Sequence, residues 1–121
     1  MPYTIDWKFK GAVKRFSGVV AYKDVLKSEQ EISGSMQFTD LRYVISDYSD
    51  AEYKGLCESE EVDVTALRLG GYTTNKGIKY AFVGISQEVQ RHLCEAVVTG
   101  RMPYQTRVFD NYEQVAKWLE L

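Results

Sequence analysis

The stretch LRYVIS at residues 41–46 decides the fold of this chain. Its apolar residues follow one another without regular polar alternation, which is typical of a central strand that is covered on both faces. The run from Ile78 to Ile85 has the same character, and Lys79 is its one charged residue. Two such strands predict the middle of a sheet that lies between helices.

The segments before the first central strand predict a hairpin and a helix. Large apolar residues alternate with polar ones from Tyr3 to Phe9, which indicates a strand with one apolar face. A turn at Lys10-Gly11 joins it to a second strand over residues 12–17, which Gly18 ends. Residues 21–33 then have apolar side chains at helical spacing and predict the first helix.

Three further helices are predicted after the central strand. One runs from Ser59, its N-cap, to about Tyr72, and a second starts at the N-cap Ser86 and stops at Gly100. A last short strand, Thr106 to Phe109, precedes the final helix, whose start carries a capping-box pair, Asp110 and Glu113.

The predicted order is β-β-α-β-α-β-α-β-α, which makes this an α/β protein. Strands that alternate with helices require a mostly parallel sheet, to which the N-terminal hairpin adds an antiparallel edge. The sequence contains no internal repeat or linker, and its 121 residues fit a single domain over 1–121.

The most specific sequence feature lies at the C-terminus, where the aromatic strand residue Phe109 is followed by AKWL at residues 116–119. Together with the hairpin and the polar stretch DYSD at residues 47–50, it resembles the SpoIIAA-like group of STAS-domain proteins, in its small stand-alone bacterial branch. The resemblance covers nearly the whole chain. It implies a small mixed sheet flanked by helices, and a regulatory or protein-interaction module.

In the anti-sigma antagonists of that family, a serine after the third strand is phosphorylated within Asp-Ser-Ser-Gly. This sequence lacks the motif, and Ser59, within ESEE at residues 58–61, is the nearest serine at a comparable place. A phosphate would bring about −1.5 to −2 charges among these carboxylates. We therefore interpret Ser59 as a helix cap.

A candidate partner-binding surface follows the central strand. Ligands of open α/β sheets gather at the carboxyl ends of the strands, where we predict a polar turn at residues 47–50. The predicted site residues are Asp47, Tyr48, Ser49, Asp50 and Ser59. A turn that is only stabilised by its own Asp and Ser side chains is the competing interpretation.

The sequence predicts no catalytic residue, no metal site and no cofactor. The one histidine, His92, is two residues from Cys94 on a helix, so their side chains point in different directions; we expect an exposed His and a buried Cys. Acidic neighbours should raise the pKa of Cys57 and blunt its thiol. The glycine-rich residues 70–77 have the wrong order for a phosphate loop.

Charge and hydropathy restrict the partners. With 15 basic and 17 acidic residues the net charge is −2, which argues against nucleic acid as a partner. We interpret the early basic residues, Lys8, Lys10, Lys14 and Arg15, as a solvated strand face. The sequence shows neither a signal peptide nor an apolar stretch of about 20 residues, so we expect a cytoplasmic protein without membrane insertion.

Three functions stay open at this point. The first is a non-catalytic regulatory module that binds another protein or a second copy of itself as a homodimer. The second is a carrier or sensor of a small apolar, lipid-like ligand between sheet and helices. The least favoured is an enzyme that uses Asp47 or Asp50 as an acid–base group. Four tyrosines expected in loops or at helix ends would serve recognition or line a pocket: Tyr48, Tyr53, Tyr72 and Tyr104.

Overall fold

A computed structural model describes residues 2–53 and 58–121, without the side chains of residues 58 and 59. These residues form five strands, four α-helices and one short 3-10 helix, Phe38–Asp40. The strands are β1 (Tyr3–Lys8), β2 (Gly11–Val20), β3 (Tyr43–Tyr53), β4 (Lys79–Val83) and β5 (Gln105–Phe109). The helices are α1 (Tyr22–Ser33), α2 (Glu58–Thr74), α3 (Gln87–Val98) and α4 (Tyr112–Leu119).

The sheet has the predicted architecture. Its strand order is β1-β2-β3-β4-β5, so β3 is the central strand, as its apolar sequence indicated. β1 pairs antiparallel with β2, whereas β2, β3, β4 and β5 pair in parallel. The predicted element order and the mixed, mostly parallel sheet with an N-terminal hairpin are therefore confirmed.

The helices cover the two faces of the sheet unequally. Apolar residues of α1, α2 and α3 pack with Phe16, Val44 and Tyr80 in the larger core cluster. On the other face, Val115 of α4 is buried in a smaller cluster over the middle of the sheet. The larger face, which is rich in tyrosines, is thus the one on which three helices meet.

β2 and β3 are longer than the sequence predicted. Gly18 has a φ of +68° but does not end β2, because it pairs with Ala51 after a bulge that shifts the register. Residues 47–50 are likewise not a turn but part of β3. β4 pairs with β3 only as far as Asp47, whereas β2 follows it to Tyr53. The turn preference of Asp and Ser is overridden by pairing with β2.

Two predicted helix caps are wrong. Ser59 lies inside α2, since Glu58 is already helical. The prediction for the thiol of Cys57 is a separate matter, because Cys57 lies outside the described residues. Before α4 the cap is Asn111, whose side-chain oxygen accepts from the Gln114 amide at 3.0 Å, and not Asp110. Ser86 caps α3 as predicted, because its hydroxyl oxygen accepts from the Val89 amide at 3.2 Å.

Candidate functional site

The predicted site residues do not form one surface, because Asp47 and Tyr48 lie on opposite faces of the sheet, as neighbouring residues of a regular strand do. Asp47 lies on the α4 side, where its carboxylate accepts from the Tyr112 hydroxyl at 2.9 Å. Tyr48 is buried on the opposite side, stacked on Phe16 with a ring-centroid distance of 4.5 Å. Tyr48 is therefore a core residue rather than a partner-binding one.

Asp47 is poorly suited to acid–base chemistry. Burial would raise the pKa of its carboxyl, but hydrogen bonds from Ser49 and Tyr112 bring the pKa below its ordinary value. The pKa of Tyr112 is raised to about 12 by burial and by its hydrogen bond to Asp47. A carboxylate that stays ionised and paired is a weak general acid or base near neutral pH.

Ser49 and Asp50 are exposed and lie where β3 passes the end of β4. Ser49 contacts Gly84, which precedes α3: a Cβ on Gly84 would lie 2.7 Å from the Ser49 Cα. We refer to Ser49, Asp50 and Gly84 as the strand-end surface. The structure does not describe the side chain of Ser59, so its position relative to this surface stays a prediction.

A buried ionic cluster, which sequence reasoning missed, lies between β2, α1 and α2. The Lys14 ammonium donates to Glu29 at 2.9 Å and to the Ser28 hydroxyl at 3.2 Å. Arg68 donates to the same Glu29 oxygen at 3.4 Å, and Tyr80 donates to the other oxygen at 3.3 Å. The interpretation of Lys14 as part of a solvated face is wrong, because only 2% of this residue is exposed.

The cluster stabilises the charged form of Glu29. Burial alone would raise the pKa of the Glu29 carboxyl, but the charges of Lys14 and Arg68 lower it to about 2. Burial lowers the pKa of Lys14 from its ordinary value, and Glu29 acts against this shift. The single carboxylate of Glu29 thus forms ion pairs with two cationic side chains, Lys14 and Arg68.

The shift of Glu29 predicts an acid-sensitive stability. Its folded pKa of about 2 lies below the ordinary 4.5, so its stabilising contribution is complete above pH 4.5 and is lost as the pH falls toward 2. In that window the free energy of unfolding of the wild type should fall more steeply with decreasing pH than that of Glu29→Gln, by a difference on the order of 1 kcal/mol per pH unit. Urea unfolding of the wild type and of Glu29→Gln across this range measures the difference; equal pH slopes would contradict the prediction.

A small cavity adjoins the cluster, between β3 and the helices α1, α2 and α3. Its volume is about 50 Å³. We name it the tyrosine cavity after part of its lining, which includes Tyr22, Tyr48, Tyr53, Arg68, Phe82 and His92.

The expectation that Tyr48 and Tyr53 lie in loops is wrong, because both belong to β3. Tyr72 belongs to α2, and Tyr104 is buried just before β5.

The cavity tyrosines remain neutral hydroxyls. Burial raises the pKa of Tyr22, Tyr48 and Tyr53 above the ordinary value of 10.0. Burial also lowers the pKa of His92, which favours its uncharged form at neutral pH. These neutral tyrosine and histidine groups can each donate a hydrogen bond as well as accept one, whereas Arg68 can only donate.

The expected pairing of an exposed His with a buried Cys is wrong in both parts. His92 is half-buried against Tyr22, whereas Cys94 is exposed. The nearest acidic group to His92 is Glu61, at 3.7 Å from Nε2, and Glu61 also forms an ion pair with Arg101. Among the described residues, no three His, Cys, Asp or Glu side chains are grouped to hold a metal ion.

No helix in the described ranges 2–53 and 58–121 combines the length and apolar character that a membrane span requires. No protein-family model matches the sequence, and no curated protein matches it either. The fold, however, defines a class: a SpoIIAA-like α/β domain.

Solved structures carry that conclusion. The unphosphorylated form of the anti-sigma factor antagonist SpoIIAA superposes with a TM-score of 0.66 and 11% identity, over 98% of this chain and 97% of that chain. An uncharacterised DUF3478-family protein with a SpoIIAA-like fold from Shewanella loihica superposes with a TM-score of 0.61 and 14% identity, over 97% of this chain and 91% of that chain. The Bacillus cell-fate determinant SpoIIAA in its phosphorylated form superposes with a TM-score of 0.59 and 14% identity, over 96% of this chain and 98% of that chain. The fold that the sequence resemblance implied is confirmed.

Proposed function

We propose that this protein is a non-catalytic regulatory or protein-interaction module of the STAS type. The observation that carries the proposal is the structural match to an anti-sigma factor antagonist over nearly the full length of both chains. The paired and ionised state of Asp47 supports it, since Asp47 is one of the two residues, with Asp50, on which the alternative of acid–base catalysis relied.

The strand-end surface is the partner-binding region in this proposal. Ser49 and Asp50 are exposed there, where β3 passes the carboxyl end of β4, and Ser49 contacts Gly84 before the start of α3. Ser59 belongs to the helix that follows β3 and is included in the proposed region. The partner is another protein or a second copy of this chain.

Reversing the charge of Asp50 tests this assignment. We expect Asp50→Arg to reduce cross-linking of the protein to its partners, in cells of its own host, by at least about tenfold, a loss of about 1.4 kcal/mol. Asp40→Arg is the matched control, because Asp40 is also exposed but precedes β3 at the opposite end of the strand. Cross-links are quantified by mass spectrometry, and self-association by sedimentation velocity. Equal partner recovery with both variants would overturn the proposed surface.

A carrier or sensor of a small apolar, lipid-like ligand is the second candidate function. The tyrosine cavity favours it, because it lies between sheet and helices as such a carrier requires. Its volume of about 50 Å³ ranks this candidate second, since pockets for drug-sized ligands measure roughly 300 to 1,000 Å³.

A further inference from the structure

The tyrosine cavity is bounded on one side by a guanidinium group with unused hydrogen-bonding capacity. Arg68 is 9% exposed, and its Nε is buried without a hydrogen-bond partner among the described residues. Its ionic contact to Glu29, at 3.4 Å, is long for a charge-assisted hydrogen bond. We propose that the cavity binds a small monocarboxylate, whose oxygens accept hydrogen bonds from Arg68.

The charge balance around the cavity favours an anion. Lys14 and Arg68 are both buried beside the single carboxylate of Glu29. Arginine is not deprotonated in proteins, so the positive charge at the cavity wall persists. Glu88 also lines the cavity, but it is exposed, and Glu61 is already paired with Arg101. A bound carboxylate would complete the ionic cluster.

Size and charge favour a carboxylate over a phosphate. The planar guanidinium fork of arginine matches the oxygens of either group, so the fork itself does not discriminate between them. A volume of about 50 Å³ holds roughly three to five water-sized groups, which suits a carboxylate with a chain of one to three carbons. A phosphate dianion would exceed the single excess positive charge of the cluster.

The remaining walls suit the rest of such a ligand. Val25, Leu93 and Ala96 offer apolar contacts for a short alkyl chain. Tyr22 and Tyr53 line the same cavity, and a neutral tyrosine hydroxyl can donate a hydrogen bond to an oxyanion. This combination of an arginine, tyrosine hydroxyls and a short apolar wall defines the ligand class, and it does not depend on the proposed regulatory function.

Matched ligands test the proposal on the wild-type protein. We expect propionate to bind saturably with one site per chain in isothermal titration calorimetry, and to shift the NMR signals of α3. Propionamide, which has the same size without the charge, should bind at least tenfold more weakly, and so should inorganic phosphate. Equal affinity for acid and amide, preferential binding of phosphate, or no binding of propionate would each overturn the proposal.

Two variants place the ligand in this cavity. Arg68→Lys keeps a positive charge beside Glu29 but removes the guanidinium fork, and should weaken propionate binding at least tenfold. Ala96→Leu fills the cavity and leaves the ionic cluster intact, and should have the same effect; Ala66→Leu, at an exposed position of α2, is the control and should bind as the wild type does. Unchanged affinity in either folded cavity variant would refute the site.

A failure of either variant to fold leaves the acid–amide comparison on the wild type as the deciding measurement. The result is also separable from that for the proposed function. Asp50→Arg should reduce partner binding without changing the affinity for propionate, because Asp50 is not among the residues that line the cavity.

Discussion

We expect Glu29→Gln to lower the free energy of unfolding by about 3 to 5 kcal/mol, the cost of breaking a buried ion pair by removing one partner. The variant leaves Lys14 and Arg68 buried without the carboxylate that balances them. Glutamine fills nearly the same volume, so the loss reports on charge rather than on packing. Urea unfolding followed by circular dichroism at neutral pH measures it.

Glu31→Gln is the matched control for this prediction. Glu31 belongs to the same helix, is exposed and accepts a hydrogen bond from the Tyr3 hydroxyl, which a glutamine oxygen can also accept. We expect this change to cost less than about 1 kcal/mol, the usual scale for exposed sites. If the two variants unfolded at the same urea concentration, the ionic cluster would contribute nothing specific to stability.

We expect Gly84→Ala to be destabilising by about 2 to 5 kcal/mol, from a left-handed backbone and a steric clash together. Gly84 has a φ of +72°, which side chains other than glycine rarely adopt. An added Cβ would also lie 2.6 Å from the Ser49 Oγ and 2.8 Å from the Ser49 backbone nitrogen. Thermal and urea unfolding both measure the effect.

Gly18→Ala separates the two causes. Gly18 has a similar φ of +68°, but an added Cβ would meet no atom within 4 Å. We expect it to cost only the conformational part, about 1 to 2 kcal/mol. A loss at Gly84 no greater than at Gly18 would show that the close approach of β3 to the start of α3 is not needed for stability.

Helix α3 links the two regions to which we assign binding. Its N-terminus follows Gly84 on the strand-end surface, whereas His92, Leu93 and Ala96 on its body line the tyrosine cavity. The contact between Gly84 and Ser49 therefore positions the element that both regions share. This arrangement is why the Gly84 variant is best tested for propionate affinity as well as for stability.

Local patterns in the sequence predicted most of the elements. The mostly apolar runs at residues 41–46 and 78–85 belong to adjacent strands in the middle of the sheet, and the alternation from Tyr3 belongs to the edge hairpin. The helical spacing of α3 and its cap at Ser86 were also correct. These features depend on burial periodicity and on short-range capping, which neighbouring residues determine.

The candidate site was harder to predict, because strand lengths depend on partners. Asp47 and Asp50 look like turn residues in isolation, but pairing of β3 with β2 keeps the chain extended through them to Tyr53. That pairing joins residues far apart in sequence. The pairing also places the side chains of Asp47 and Tyr48 on opposite faces of the sheet, which could not be predicted from a turn at these residues.

The sequence alone determined the α/β order, the mixed sheet and the central position of β3, since each follows from local periodicity and from the crossover rule for parallel strands. Only the tertiary structure revealed the ionic cluster and the tyrosine cavity. Glu29 meets Lys14 across 15 residues and Arg68 across 39, and all three charged side chains are buried. A charged side chain is buried at low cost only where another element places an opposite charge beside it. Here the packing of β2, α1 and α2 determines whether such a partner is present.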